Sequence, residues 1–430
     1  MYSLAIIPFS SSDAWVMATA VVCAVACAIP GCFLVLRRMS MLGDAISHAV
    51  LPGLAMAFLI TGTRDLWPML IGAAAFGLLT AVVSSWLSRH ARVPEDASMG
   101  VVFSSFFALG VLLITLGARS VDLDPGCVLY GLLEAAALDT TTVLGFVLPR
   151  ALVALSVVLV LNATLTVVFW KEIKLVCFDP ALATAMGISA GLVHYGLMGA
   201  VATTAVASFE SVGSILVVAM LVAPGATAHL LTDRLARMVP LAAILAAVCA
   251  VVGHLLALYF DTNIAGMMSV VAGAQFALAA LLAPRYGIIP SAVRRLSLSL
   301  KIEREDLLGD LFRAREAARL GSIKARARHV LPPHWRASVA RHQLRVRGLI
   351  EVGPGGPILT LAGGAEAARI IRSHRLWEAF LCERLKLAMD HVHDPSERME
   401  HHITPEMEHA LRKEFARTQQ DPQGKPIPQG

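Results

Sequence analysis

The sequence predicts an all-α membrane protein that crosses the bilayer several times and carries a soluble domain after its last span. The chain has 430 residues, 57% of them hydrophobic, and its mean hydropathy of +0.68 is far above that of soluble proteins. Charged residues are concentrated towards the C-terminus. Residues 1–284 hold 11 Lys and Arg and 14 Asp and Glu, whereas residues 285–430 hold 25 and 17.

Apolar stretches of about 18–25 residues, the length that lets an α-helix cross a bilayer, recur along the first part of the chain. We therefore predict about nine transmembrane helices. They lie near residues 14–36, 45–62, 66–87, 98–117, 147–169, 189–208, 213–231, 239–259 and 264–283. Residues 121–146 are interrupted by Asp, Pro and Gly, which predicts an outer loop or an interfacial helix.

The distribution of Lys and Arg among the short loops predicts the orientation. If the N-terminus lies outside, nine basic residues fall in inner loops and three in outer loops. The inner ones are Arg37, Arg38, Arg89, Arg92, Lys171, Lys174, Arg234, Arg237 and Arg285, and the outer ones are Arg64, Arg119 and Arg150. This bias places the soluble domain in the cytoplasm.

Asp44 and His48 stand four residues apart where the second apolar stretch enters the membrane. Residues i and i+4 share one face of a helix, so a carboxylate and an imidazole can grip one small cation. Ionisable groups at membrane depth are costly and usually face a pathway or a partner. An alternative interpretation is an Asp–His hydrogen bond that locks two helices together.

The run from Arg37 to Gly53 around this pair resembles the permease subunits of bacterial zinc, manganese and iron ABC importers. The resemblance covers residues 13–284 and includes the segments Phe178–Ser189 and Ser208–Ala228. It implies a multi-pass protein of the bacterial inner membrane in which Asp44 and His48 bind the transported metal. It also implies three partners: an ABC ATPase subunit, a second permease copy or sister permease, and an extracytoplasmic metal-binding lipoprotein.

Within the segment Phe178–Ser189, Asp179 is predicted to cap a short helix that begins with Pro180 and ends at Gly187. In ABC importers a short cytoplasmic helix of this kind docks into the ATPase. The resemblance therefore implies an ATPase contact made by Phe178, Asp179, Pro180, Ala181, Ala185 and Gly187. The chain has no Gly-x-x-x-x-Gly-Lys-Ser/Thr loop, so we expect no enzymatic activity of its own and assign ATP hydrolysis to the partner subunit.

The C-terminal region carries a second set of potential metal ligands. His374 and Glu378 are spaced i, i+4, and Glu397, Glu400 and His401 are spaced i, i+3, i+4, so each set shares a helix face. Two such faces offer a mixed nitrogen and oxygen site for a divalent first-row metal. The seven cysteines contain no Cys-x-x-Cys pair, so we expect neither disulfides nor a thiolate metal site. The alternative is a pair of amphipathic helices with solvated charges.

These residues, together with His393 and Pro395 that lie between the two sets, resemble the iron- and manganese-dependent repressors of the diphtheria-toxin-repressor type. In that family the position of Glu397 is Cys in iron-type and Glu in manganese-type members, so the resemblance favours Mn²⁺ over Zn²⁺ or Fe²⁺. It makes Asp306 a further ligand and His393 an outer or alternative one. A second ligand of the first helix falls on Gly309, which departs from the family pattern.

The resemblance also implies a winged-helix-like region, with a recognition helix near Pro333–Arg347 and a wing at 351–360. Residues 301–350 hold 12 Lys and Arg against five Asp and Glu, which suits phosphate contacts with DNA. The same charge also suits anionic membrane lipids or the transporter's own ATPase. The tail Asp421–Pro428 resembles the family's ending, and we expect it to be extended and mobile.

The predicted organisation is a transmembrane permease domain (1–284), a linker (285–300), a winged-helix-like domain (301–365) and a helical metal-sensing and dimerisation domain (366–430). The favoured function is the permease of an ATP-driven divalent-metal importer with a fused cytoplasmic metal-responsive domain. One alternative is a membrane-tethered, metal-dependent DNA-binding regulator. Another is an ion-coupled carrier that works without an ATPase.

Overall fold

The computed structural model describes residues 11–62, 66–91, 93–117, 133–143, 145–319, 335–353, 356–415, 418 and 420–428. The chain divides into two compact units, Met1–Pro290 and Ser291–Gly430. Among the described residues, nine segments are long and apolar enough to cross a membrane. This number confirms the prediction of a polytopic membrane domain.

The first unit is built from helices joined by short connections, except for the long segment between Gly117 and Arg150. They are α1 (Ser11–Leu36), α2 (Met41–Ala49), α3 (Leu51–Thr61), α4 (Leu66–Ala91), α5 (Glu95–Gly117), α6 (Arg150–Val168), α7 (Trp170–Phe178), α8 (Pro180–Ala185), α9 (Ala190–Val212), α10 (Ser214–Leu231), α11 (Leu235–Phe260) and α12 (Ile264–Leu282). Helix α1 is the most buried of the nine candidate spans, with 72% of its apolar window buried, and it packs against α6, α9, α10 and α11.

The second span consists of two consecutive helices, α2 and α3, that meet at Val50. Pro52 lies in the first turn of α3, where its missing N–H leaves no helical hydrogen bond unmade. Asp44 and His48 both belong to the short helix α2, so the break separates the pair from the rest of the span.

Glycines allow the helices to approach closely at two crossings. A Cβ atom on Gly31 of α1 would lie 2.0 Å from the carbonyl oxygen of Leu221 in α10, and one on Gly53 of α3 would lie 2.2 Å from that of Gly72 in α4. Membrane helices pack through such contacts because lipid offers little hydrophobic driving force. A larger side chain at either glycine would push the two backbones apart.

Residues 133–146 contain a short 3₁₀ helix and the first strand of a β-hairpin. The 3₁₀ helix is Leu133–Ala137, and the hairpin pairs β1 (Thr140–Val143) with β2 (Phe146–Pro149) in antiparallel register. The sequence predicted either an outer loop or an interfacial helix here, and the described part of this segment contains a β-hairpin. Residues 118–132, the first part of this loop, lie outside the described residues.

The second unit has a helical scaffold with one β-hairpin. Its elements are α13 (Ile288–Arg319, which belongs to this unit from Ser291), α14 (Trp335–Val346), β3 (Ile350–Gly353), β4 (Gly356–Leu359), α15 (Leu361–Glu383), α16 (His393–Met399) and α17 (Pro405–Glu414), with 3₁₀ turns at Met389–His391 and Glu400–His402. The predicted linker 285–300 is helical from residue 288, since Pro290 stands in the first turn and no Gly or Pro follows it there.

Helix α14 and the β3–β4 hairpin have the order of a recognition helix and a wing. They share a small core with α13 and α15, formed by Leu307, Leu308, Leu344, Ile350, Ala367 and Ile370. A second core joins α15 to α17 through Leu376, Ala379, Leu411 and Phe415. Helix α15 contributes to both cores and so links the wing region to the last helices.

The C-terminal tail is packed, which corrects the expectation of an extended, mobile segment. Arg372 donates a hydrogen bond to the carbonyl oxygen of Pro428 over 2.6 Å, and Arg375 donates one to that of Pro426. The carboxylate of Asp421 lies 3.5 Å from Nε of Arg375. Two buried guanidinium groups on α15 therefore hold the tail through its backbone carbonyls, which the tail's polar composition did not reveal.

Candidate metal sites

The membrane unit brings Asp44 and His48 together on α2, as the i, i+4 spacing predicts. Oδ1 of Asp44 lies 3.7 Å from Nε2 of His48, and the two side chains are 46% and 31% exposed. The separation is too long for a strong hydrogen bond, yet it is shorter than two metal–ligand bonds of about 2.1 Å laid end to end. One small divalent cation therefore fits between the two atoms.

Two aromatic rings from α5 hold the imidazole of His48. The ring centroid of Phe103 lies 5.8 Å from that of His48, and the centroid of Phe107 lies 5.7 Å away in an edge-to-face arrangement. Such pairs restrict ring orientation and contribute about 0.5–1.5 kcal/mol each. Sequence reasoning missed these residues, although their own i, i+4 spacing was a signal that they share one helix face.

Helix α8 has the capped form that the sequence predicts. The Asp179 carboxylate accepts a hydrogen bond from the backbone N–H of Leu182 over 2.9 Å, and Gly187 ends the turn with a φ of +83°. The apolar side chains of Phe178, Leu182 and Met186 are spaced four residues apart and are 61%, 47% and 65% exposed. An exposed apolar stripe on a short helix is typical of a surface that another protein covers.

In the second unit, His374 and Glu378 of α15 meet His393 of α16. Oε1 of Glu378 lies 3.1 Å from Nε2 of His374 and 3.0 Å from Nδ1 of His393. Burial alone would raise the pKa of Glu378, but hydrogen bonds from the two imidazoles lower it, so the carboxylate is ionised at neutral pH. The result is a buried carboxylate with two imidazole neighbours.

A second cluster joins Asp306 of α13 to Glu400 and His401. Nε2 of His401 lies 3.1 Å from Asp306 Oδ1, and Nδ1 lies 2.8 Å from Oε2 of Glu305. Burial opposes a positive charge on His401, but hydrogen bonds to Asp306 and Glu305 outweigh it and raise the pKa of His401 to about 9. Glu305 is a partner that sequence reasoning missed, although it stands next to Asp306.

Glu400 connects the two clusters. Its Oε2 atom lies 2.5 Å from Nδ1 of His374, so the two buried side chains form a close ion pair. The nitrogen and oxygen donors of the two clusters suit Mn²⁺, Fe²⁺ or Zn²⁺. The residues present therefore fit a divalent metal.

Two of the sequence-derived positions stand apart from these clusters. Glu397 is exposed and belongs to neither group of potential ligands among the described residues. Gly309 is buried, offers no ligand, and lies beside the guanidinium of Arg313. Asp310, the next acidic residue, hydrogen bonds to Arg313 over 3.4 Å and does not replace the missing ligand.

Comparison with known proteins identifies the membrane unit. The pattern of the family described as ABC 3 transport family matches residues 13–283. The chain belongs to the ABC 3 transport family. A second pattern, described as the metal binding and dimerisation domain of iron dependent repressors, matches residues 360–429. This ABC 3 family member is thus a metal permease homologue fused to a repressor-like domain, which confirms the resemblance seen in the sequence.

Similar proteins of this ABC 3 family are metal permeases by name. The chain is 46% identical over 290 residues to the manganese transport system membrane protein MntD of Bacillus subtilis (strain 168), covering 67% of this chain and 98% of MntD. It is 37% identical over 357 residues to the zinc transport system membrane protein TroD of Treponema pallidum (strain Nichols), covering 82% and 97%.

A solved structure also resembles the membrane unit. PsaBC from Streptococcus pneumoniae in complex with Fab is 32% identical, with a TM-score of 0.55, and the match covers 64% of this chain and 94% of that one. The match supports the architecture of a multi-pass membrane protein.

Proposed function

We propose that this chain is the permease subunit of an ATP-driven importer for a divalent transition metal, and that its C-terminal domain responds to the same metal. The observation that carries the proposal is the Asp44–His48 pair, whose 3.7 Å separation accommodates one cation. Relatives named for manganese and zinc transport support this substrate class. Manganese is the favoured ion, since the 46% identical relative is named for manganese transport and the zinc-named relative is 37% identical.

The transport site needs few ligands, since an ion that is bound too tightly is not released. Asp44 supplies charge and His48 a neutral nitrogen, while Phe103 and Phe107 fix the imidazole in place. Both ligand side chains are partly exposed and are not sealed inside the bundle core. The ion is cargo here, and no chemical step is required of the chain.

The partners follow from this role. We infer that α8 docks on an ABC ATPase subunit, with the contact made by Phe178, Asp179, Pro180, Ala181, Ala185 and Gly187. A second permease copy or a sister permease completes the membrane part, and an extracytoplasmic lipoprotein delivers the metal. The excess of basic residues in one set of loops supports an N-terminus outside and a cytoplasmic C-terminal unit.

In the sensing domain we assign the metal to His374, Glu378 and His393 in one site and to Asp306, Glu400 and His401 in the other, with Glu397 as a further candidate. A cation in the first site would join α15 to α16, and one in the second would join α13 to the segment after α16. The structural consequence is a more rigid second unit, since metal–ligand bonds would add to the ion pairs through which these segments already meet.

A second candidate function is that of a membrane-tethered, metal-dependent DNA-binding regulator. Helix α14 carries Arg336, Arg341 and Arg345, and the wing hairpin follows it directly. Exposed arginines on such a helix suit contacts to DNA phosphates, anionic lipid or an acidic protein surface. This candidate differs from the first in the partner of the second unit, while the metal sites are the same.

The transport proposal predicts that Asp44→Asn abolishes metal uptake while the bundle stays folded, because the change keeps the shape of the side chain and removes its charge. The measurement is radioactive Mn²⁺ uptake by cells that express the complete importer. Asp261→Asn is the matched control, since Asp261 is an exposed residue at the end of α11. Normal uptake by Asp44→Asn at equal membrane expression would rule out the assignment.

A further inference from the structure

Arg313 of α13 lies beside the second group of potential metal ligands in the C-terminal unit, formed by Asp306, Glu400 and His401. Its Nη2 atom lies 3.9 Å from Oε2 of Glu400, and its Nη1 atom donates a hydrogen bond to Asp310 over 3.4 Å. Nη2 is buried and has no hydrogen-bond partner among the residues that the structure describes, while the facing Glu400 oxygen lies 2.5 Å from Nδ1 of His374. A positive and a negative group thus face each other without the geometry of a hydrogen bond.

Gly309 provides the space that Arg313 uses. Residues 309 and 313 share one face of α13, and a Cβ atom on Gly309 would lie 3.9 Å from Nη1 of Arg313. A longer side chain at 309 would compete with the guanidinium for the same region. The chain therefore places a permanent cation where the resembling sensors carry a further metal ligand.

We propose that Arg313 is an internal cation that competes with the divalent metal for Glu400 and so lowers the affinity of this site. The inference rests on the proposed sensing function of the second unit. A divalent ion held by Asp306, Glu400 and His401 brings two positive charges and displaces one proton from His401, so the positive charge next to the guanidinium still rises and repels it. Binding therefore requires Arg313 to move away from Glu400.

The Arg313 side chain can move to an alternative carboxylate partner. It is 34% exposed and already contacts Asp310, whose side chain is 41% exposed, so the guanidinium can leave Glu400 and keep a carboxylate partner. Without a metal the same residue, together with His374, balances the charge of Glu400, whose side chain is only 2% exposed. A sensor of this kind binds metal only when the ion is abundant, which suits feedback inhibition of metal import.

The test measures Mn²⁺ affinity by titration calorimetry on the full-length protein in detergent micelles, with MnCl₂ as the ligand. The heat that disappears in His401→Ala defines the site. Arg313→Gln and Arg313→Met remove the charge, whereas Arg313→Lys keeps it. Gly309→Ala is the control on the same helix face, because its new methyl group would make only ordinary contacts, at 3.7 Å from Ile371 and 3.9 Å from Arg313.

We expect both neutral variants to bind Mn²⁺ roughly tenfold more tightly or better, allowing for partial solvent screening of the Arg313 charge. The lysine and alanine variants should stay within about twofold of the original chain. The difference in Mn²⁺ affinity between the original chain and Arg313→Gln should also become smaller in high salt, since salt screens a charge effect and not a packing effect.

Equal or weaker binding by both neutral variants would overturn the proposal, as would a gain in Arg313→Lys that matches the gain in Arg313→Gln. Two neutral variants are used so that a folding defect in one, seen as a loss of its melting transition, still leaves the other. If His401→Ala removes no heat from the original chain, the proposed sensing function fails instead, and the two failures are thereby distinguished.

Discussion

His401 shows how single residues set the chemistry of the C-terminal unit. Carboxylates contact both of its ring nitrogens, so the metal-free imidazole is held as a cation. A metal ligand must be a neutral imidazole, so a metal bound at this proposed site would release a proton. Because the folded pKa is raised to about 9, the ion pairs stabilise the metal-free protein below pH 6.5, and the stabilisation is lost as the pH rises through 9.

At this scale we predict that His401→Gln destabilises the metal-free protein at pH 6 and has little effect at pH 9.5. The difference corresponds to about 2–3 kcal/mol of the free energy of unfolding, or a few degrees of melting temperature. The measurement is thermal unfolding of both forms with a chelator present. His391→Gln is the control, because His391 is exposed on a neighbouring turn. A difference in unfolding free energy between the original chain and His401→Gln that is the same at both pH values would contradict the assignment.

Among the elements, helix α8 links the fold of the membrane unit to its proposed partner. Its cap makes a six-residue helix stable enough to present side chains in a fixed direction, and its apolar stripe is left exposed. Exposed apolar groups in this number are costly for an isolated surface and are expected where a partner protein covers them.

We predict that the double substitution Ala181→Asp/Ala185→Asp separates the ATPase from the permease. Both alanines are exposed in the isolated chain, so the fold tolerates the change, whereas two buried charges in an interface are expensive. Co-purification of the ATPase with a tagged permease should fall at least tenfold, given an interface cost of at least about 1.4 kcal/mol. Ala236→Asp, on the exposed first turn of α11, is the matched control. Full retention of the ATPase and of uptake would exclude α8 as the docking element.

For the molecule as a whole, the informative fact is that one chain joins a metal permease homologue to a metal-binding domain. The two units have separate cores, and each carries its own potential ligands for the same class of ion. This arrangement suits feedback in which imported metal slows further import.

The feedback hypothesis predicts that Glu400→Ala/His401→Ala abolishes the inhibition of uptake by metal that cells have already accumulated. Cells loaded with Mn²⁺ should take up radioactive Mn²⁺ several-fold more slowly with the original chain, and at the unloaded rate with the double variant. The reason is that a roughly tenfold rise in the cytoplasmic Mn²⁺ concentration is enough to fill a weak site. Glu383→Ala, which removes an exposed carboxylate at the end of α15 outside both groups of potential ligands, is the comparison variant. If the double variant instead changes only transcription of nearby genes, the tethered DNA-binding regulator becomes the better account.

The sequence by itself determined the number of spans, the division into two units and the Asp44–His48 pair, because apolar length, charge distribution and helical spacing are local properties. It also anticipated the cap of α8 and most members of the two groups of potential ligands in the second unit.

Only the tertiary structure decided which distant residues meet: Phe103 and Phe107 beside His48, Glu305 beside His401, and the tail on Arg372 and Arg375. It likewise left Glu397 outside the clusters and placed Arg313 against Glu400. The physical reason is that these contacts join separate elements. Their geometry depends on how helices pack, and no spacing along the chain encodes it.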